Sequence, residues 1–204
     1  MVFAKAPVPG NVKTRLIPAL GAQGAARLHQ QLIRRTLSLC SDAGVCPTEL
    51  WCAPDTSHPF FQQCAREPDI ILHGQHDGDL GERMYHALTL ALGRHPYAML
   101  VGSDCPSLTP DLLRQASAAL HRGMDTVIAP AEDGGYVLLG LRRMNTGLFT
   151  AIPWGTDQVM DITRRRLKQL RWRWHELPQQ WDVDRPEDLV RLEQLPEYAN
   201  LRLE

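Results

Sequence analysis

The feature that most constrains this chain is a rhythm. Short apolar runs alternate with longer segments whose apolar residues recur every three or four positions. The clearest run is YAMLVG, Tyr97–Gly102, continuous in apolar residues and followed by polar ones. A strand buried on both faces reads this way, because neither side of its pleat meets water. Further runs at Val2–Lys5, Thr48–Ala53, Asp69–Leu72, Thr126–Ala129 and Tyr136–Leu141, and the alternating stretch Arg171–Leu177, are read as strands. Between them the spacing predicts helices over Ala22–Asp42, Pro59–Arg66, Leu80–Gly93, Pro110–His121 and Thr156–Leu170, with a last one starting near Pro186. Thr109 is the expected N-cap of the Pro110 helix, with proline at the first helical position. Strands alternating with helices imply an α/β layered fold with a mostly parallel sheet, in one domain spanning residues 1–204. In such sheets ligands gather beyond the carboxyl ends of the strands, so chemistry is sought just after each one.

Four such stretches carry chemistry. KAPVPGNVKTRL follows the first strand and sets Lys5, Lys13 and Arg15 on a stiff, proline-rich loop. That suits either a solvated surface or a site for an anion. SDCPSL follows Tyr97–Gly102, placing Asp104 where a carboxylate can hold a divalent cation against phosphates, or close a side-chain turn ahead of Pro106. In WDVDRPEDL, an extended Trp181–Asp184 projects Asp182 and Asp184 to one face. Paired carboxylates repel unless a cation or hydrogen bonds neutralise them, though Asp184 also suits the start of the Pro186 helix. In PAEDGGYVLLG, Glu132 and Asp133 come just after a strand, where a carboxylate can serve as general base on a hydroxyl or orient a sugar. Gly134 and Gly135 permit close approach to a ligand, yet D-G-G is also ordinary hairpin punctuation.

Composition narrows the partners. With 22 Lys and Arg against 23 Asp and Glu, the net charge is -1, so no global field draws the chain to nucleic acid. TRRRLKQLRWRW holds six cations between Arg164 and Arg173, but its apolar spacing marks a solvated helix face and edge strand. No apolar run reaches the length of a membrane span, and no leader pattern precedes the first strand, so a cytoplasmic protein is expected. Five cysteines without a C-x-x-C pair read as reduced thiols, mostly in the core. The eight histidines show no metal-binding spacing.

Taken in order, KAPVPGNVKTRLIPALG, HDGDLGERM, VGSDCPSL, PAEDGGYVLLGL, IPWGTDQV and WDVDRPEDL resemble the bacterial family DUF2064, from Phe3 to about Leu192. That family is usually assigned as GT-A-type glycosyltransferases, some in arsenosugar biosynthesis. It is similar to the wider nucleotide-diphospho-sugar transferase superfamily, which includes guanylyltransferases acting on phospholactate and on the molybdenum cofactor. The resemblance implies a single-domain, Rossmann-like GT-A fold with a mixed sheet flanked by helices. It implies a glycosyltransferase using a nucleotide-sugar donor, a small-molecule acceptor and Mg²⁺ or Mn²⁺, with nucleotidyl transfer from a triphosphate as the alternative. A homodimer is compatible with it.

Carried onto this sequence, the resemblance implies a metal held by Asp104 and Asp184 with Asp182 beside them. Phosphate or nucleotide contacts fall to Lys13, Thr14, Arg15, Asp79, Gly81 and Ser103. Asp133 or Glu132 is the base, and Gly134, Gly135, Trp154, Gly155 and Thr156 line the substrate. The first loop departs from the superfamily's nucleotidyltransferases: P-G-N-V-K-T-R stands where they carry G-x-G-T-R, which favours glycosyl transfer. Similar proteins usually begin with several more residues of the first strand, a second departure of this sequence from the pattern.

Overall fold

The computed structural model describes residues 1–198; positions 199–204 of the expected domain lie outside the described residues. Its seven strands are β1 (Val2–Lys5), β2 (Thr48–Ala53), β3 (Ile70–Gly74), β4 (Ala98–Gly102), β5 (Thr126–Pro130), β6 (Tyr136–Leu141) and β7 (Trp174–Glu176). They form one sheet in the order β3-β2-β1-β4-β6-β5-β7. β6 runs antiparallel to both neighbours and every other pairing is parallel, so the sheet is mixed and mostly parallel as expected.

Among the described residues six α-helices flank it: α1 (Ile17–Ala43), α2 (Pro59–Cys64), α3 (Leu80–Leu92), α4 (Pro110–His121), α5 (Val159–Gln169) and α6 (Pro186–Leu192). The pleat sorts neighbouring strand residues into two cores. Val2, Ala4, Leu50, Cys52, Val101 and Val127 pack with α1, α2 and α4 on one face. Phe3, Trp51, Leu100, Ile128 and Leu139 pack with α3 and α5 on the other. This three-layer arrangement is what apolar runs buried on both sides require. A third cluster joins Leu28 and Leu32 of α1 to Trp181, Val183 and Leu192, pinning the segment before α6 against the molecule.

The element ends differ from expectation for local reasons. α1 starts at Ile17 rather than Ala22, but Gly21 sits at φ 67°, ψ 166°, outside helical space. The expected start at Ala22 is therefore that of the continuous helix beyond the break. β7 is three residues long, because Arg171 adopts φ 53° and ends the turn out of α5 before the strand can begin. α4 begins as read, with the Thr109 hydroxyl accepting from the Leu112 N–H. No described helix is long and apolar enough to cross a membrane.

Candidate active site at the carboxyl edge

The antiparallel turn of β6 decides what meets at the carboxyl edge. Because β6 starts where β4 ends, the β5–β6 connection Ala131–Gly135 lies beside Ser103 and Asp104. The chain leaving β7 then runs back along this edge. Gln180 bridges Ala131, and the Val183 N–H donates to the Asp104 carbonyl at 3.0 Å. Four separate stretches of sequence are thereby brought to one rim.

At its centre the Lys13 Nζ lies 2.9 Å from Asp104 Oδ2 and donates to the Val183 carbonyl at 2.6 Å. The Lys13 side chain is 4% exposed, and the Asp104 side chain 41%. Lys13 reaches inward because its backbone is left-handed, with φ 47°. That conformation costs a non-glycine residue about 1 kcal/mol or more, and the ion pair offsets it. Behind the pair, the buried His29 ring places Nδ1 3.5 Å from Asp104 Oδ1 and Nε2 3.0 Å from the Lys5 carbonyl. Burial pushes the Asp104 carboxyl up, but Lys13 and then His29 outweigh it and hold it well below the usual carboxylate range.

Asp182 behaves in the opposite way. Burial, and then the charge of Asp133, push its carboxyl up to about 6. Asp104 adds to the rise and Lys13 opposes it. Trp181 and Val183 are buried while Asp182 and Asp184 are partly exposed, the expected period of two. The two carboxylates nonetheless diverge in partner. Asp184 pairs with Arg15, whereas Lys13 pairs with Asp104. Asp184 does not cap α6 with its side chain; Asp188 Oδ2 accepts from the backbone N–H groups of Asp184 and Arg185 at 2.9 and 2.7 Å.

The expected acidic pair of the β5–β6 turn also separates. Arg191 of α6 donates to both Glu132 carboxylate oxygens, at 3.0 and 2.9 Å, while its guanidinium stacks over Trp181. Glu132 is thus engaged on the outer side. Asp133 Oδ1 accepts from the Gly135 N–H at 2.8 Å, an Asx turn that fixes the carboxylate over a cavity. Gly134 has φ 89°, and a Cβ there would lie 2.4 Å from the Asp157 backbone, so only glycine lets this tip pack on the start of α5. The stretch is both a hairpin and part of the site rim.

The cavity, about 220 Å³, brings together Asp133, Gly135, Asp182, Trp154, Gly155 and Thr156. Trp154 meets Tyr136 edge-on, with ring centroids 6.3 Å apart. Its Nε1 is buried without a hydrogen-bond partner. Gly81 makes this packing possible, since a Cβ there would approach that nitrogen to 2.7 Å. Thr156 Oγ1 donates to the Pro153 carbonyl, shaping the loop. Asp79 caps α3 in a reciprocal box with Glu82, and it borders a neighbouring hollow rather than this cavity. Ser103 is buried beside Asp104, whereas Thr14 is exposed on the short turn after Lys13.

His29, Arg191 and Gly102, the last of which lines the cavity at the end of β4, escaped sequence reading. Only His29 left a signal, as a polar residue inside the otherwise apolar stripe Ala25, Leu28, Leu32. Among the described residues, no three His, Cys, Asp or Glu side chains gather as a metal cage.

The crowding at Asp182 has a measurable consequence. An aspartate whose folded value lies above its unfolded one destabilises the fold once both states are ionised. Asp182→Asn is therefore expected to stabilise the ligand-free protein by about 1–3 kcal/mol at pH 7–8. The gain shrinks as pH falls through about 6 and vanishes below about 4, where both states of the native carboxyl are protonated. Thermal unfolding of both proteins across this range checks it. A pH-independent difference would contradict an origin in the ionisation of Asp182.

Comparison with known proteins places this rim in context. The sequence profile of DUF2064, described as an uncharacterized protein conserved in bacteria, matches residues 36–156. A solved structure from Desulfovibrio desulfuricans, assigned by name as a nucleotide-diphospho-sugar transferase, is 30% identical, with a TM-score of 0.87 over 99% of this chain and 90% of that one. Rv0371c of Mycobacterium tuberculosis, solved in complex with manganese, is 18% identical, with a TM-score of 0.56 over 95% and 97% of the two chains. A CMP:2-keto-3-deoxy-manno-octonic acid synthetase in complex with CTP is 11% identical, with a TM-score of 0.59 over 94% of each chain. The last two likenesses are of fold. No curated protein sequence matches the chain.

Proposed function

From the premise that the chain belongs to the DUF2064 family, we propose that it is a metal-dependent glycosyltransferase, moving a sugar from a nucleotide-diphosphate donor to the hydroxyl of a small molecule. The observation that carries this reading is the pairing of two unlike neighbours on one rim. The Lys13–Asp104 pair offers charge for a diphosphate, and Asp133 stands fixed over a cavity able to seat an acceptor.

Transfer asks for a proton acceptor on one side and charge stabilisation on the other. The acceptor hydroxyl gives its proton to the Asp133 carboxylate as its oxygen bonds to the anomeric carbon of the sugar. The bond from that carbon to the diphosphate breaks, and the nucleoside diphosphate leaves with the electron pair. Lys13 keeps a cation beneath the phosphates, and Arg15, largely exposed, is free to swing from Asp184 onto phosphate oxygens with its planar fork.

The donor set suits Mg²⁺ or Mn²⁺. Asp104 and Asp182 are hard oxygen ligands, and Asp182, raised first by burial and then by the charge of Asp133, is a carboxyl that a bound cation would favour in its ionised form. Mg²⁺ is commonly held by one or two carboxylates together with substrate phosphates. Asp104 and Asp182 would hold the ion, with Asp184 joining if Arg15 releases it. When bound, the ion supplies electrostatic stabilisation of the departing diphosphate.

A thermal-shift screen of UDP-, GDP- and ADP-sugars, nucleoside diphosphates and triphosphates, with and without Mn²⁺, tests the donor class. A matching nucleotide sugar at a hundred times its Kd adds about 2.7 kcal/mol, a rise of roughly 5–10 °C for a chain of this size. Stabilisation by triphosphates alone would overturn the reading in favour of nucleotidyl transfer.

A further inference from the structure

The chemistry of the cavity wall says more about the acceptor than the transferase reading requires. Phe3, Leu80, Met84, Leu100, Val137 and Val159 make up its apolar surface, with the rings of Tyr136 and Trp154 alongside. Burial pushes the Tyr136 phenol upward, so that ring stays neutral. The charged groups lining the cavity are Asp133 and Asp182, and no Lys, Arg or His is among its described lining residues. A phosphate or carboxylate placed here would face two carboxylates with no protein cation in the lining to answer it, and an ion held between Asp104 and Asp182 would already be taken up by the donor diphosphate. Loss of its hydration would go uncompensated. Of the described cations near the rim, Lys13 and Arg15 are bound to Asp104 and Asp184 on the diphosphate side, and Arg191 is bound to Glu132 outside the cavity lining.

Size points the same way. Apolar cavities near 150 Å³ accept benzene, so about 220 Å³ admits a substituted ring or a branched aliphatic group. Resting on the glycosyltransferase reading, we infer that the acceptor is an uncharged, largely apolar alcohol, its body in this cavity and its hydroxyl at Asp133. Anionic acceptors of the sugar-phosphate kind are disfavoured by the same wall.

Gly102 supplies a clean way to test this. It ends β4 on the side of Leu100 and lines the cavity, and a Cβ built on it meets nothing within 4 Å. Gly102→Leu therefore fills the cavity while displacing no protein atom at its Cβ. The probes are 4-fluorobenzyl alcohol and 4-fluorobenzyl phosphate, followed by ¹⁹F NMR titration of the full chain with a nucleoside diphosphate and Mg²⁺ present. The native protein is expected to bind the alcohol at least tenfold more tightly than the phosphate, and Gly102→Leu to lose alcohol binding at least tenfold. Circular dichroism and an unchanged nucleotide-induced thermal shift show that Gly102→Leu keeps the fold and the donor side. Tighter binding of the phosphate, or equal alcohol binding by native and variant proteins, would overturn the inference. Loss of the nucleotide shift in the native protein, with alcohol binding intact, would instead sink the donor assignment and leave the cavity chemistry standing.

Discussion

Asp133→Asn is expected to lower turnover by roughly 10²–10⁴-fold, the range over which general bases act, with nucleotide affinity within about twofold of native. Asparagine is isosteric, and its side-chain oxygen can still accept from the Gly135 N–H, so the turn and the hairpin survive. What disappears is the capacity to take a proton. Glu132 cannot stand in, because Arg191 holds both its oxygens on the outer side. The substitution also removes the charge that, after burial, most raises Asp182, so the Asp182 carboxyl falls in the variant. Steady-state turnover beside calorimetric nucleotide binding separates the two effects. Unchanged turnover would move the base elsewhere on the rim, with Asp182 the first residue to test.

The second large effect combines binding with folding. Asp104→Ala is expected to abolish divalent-dependent nucleotide binding and to destabilise the protein by about 2–4 kcal/mol. The destabilisation arises because the Lys13 ammonium, 4% exposed, is left with the Val183 carbonyl as its described partner. Breaking a buried pair costs about 3–5 kcal/mol, and the lower range follows from the partial exposure of Asp104. A Lys13→Met, Asp104→Leu double variant removes both charges. It should recover most of the lost stability while still failing to bind nucleotide. Chemical denaturation and calorimetry on the three proteins distinguish a ligand-binding carboxylate from a structural one. Native-like nucleotide affinity in the folded double variant would show that the pair serves the fold alone.

The layered fold was legible because its signals are local. Runs such as Thr48–Ala53, apolar but for Thr48 and Glu49, and Tyr136–Leu141 are buried on both sides of the pleat, and their ends match the strands residue for residue. The four loops of the rim were legible for the same reason, since each follows a strand. What the sequence withheld was pairing. Nothing local says that Lys13 turns inward at a left-handed residue to meet the distant Asp104, while Arg15 stays outside with Asp184. Nor could spacing tell Asp133 from Glu132: adjacent residues diverge because α6, arriving from the far end of the chain, brings Arg191 to one of them. Gly81 and Asp79, close together in one motif, likewise divide between close packing on Trp154 and capping of α3.

The antiparallel β6 illustrates why. Alternation alone suggests a parallel sheet, and the short Ala131–Gly135 connection is what forces β6 to return against β5. That reversal is also what carries Asp133 to the same rim as Asp104, so the exception to the sheet's parallel pattern builds the site.

The most direct test of glycosyl transfer is the identity of the phosphorus product. The native protein, Mn²⁺, a nucleotide sugar chosen by thermal shift and a panel of small alcohols are incubated together and followed by ³¹P NMR. Nucleoside diphosphate appearing in step with a glycosylated alcohol is the predicted result. Pyrophosphate released from a nucleoside triphosphate, with nucleotide sugars left intact, would contradict it.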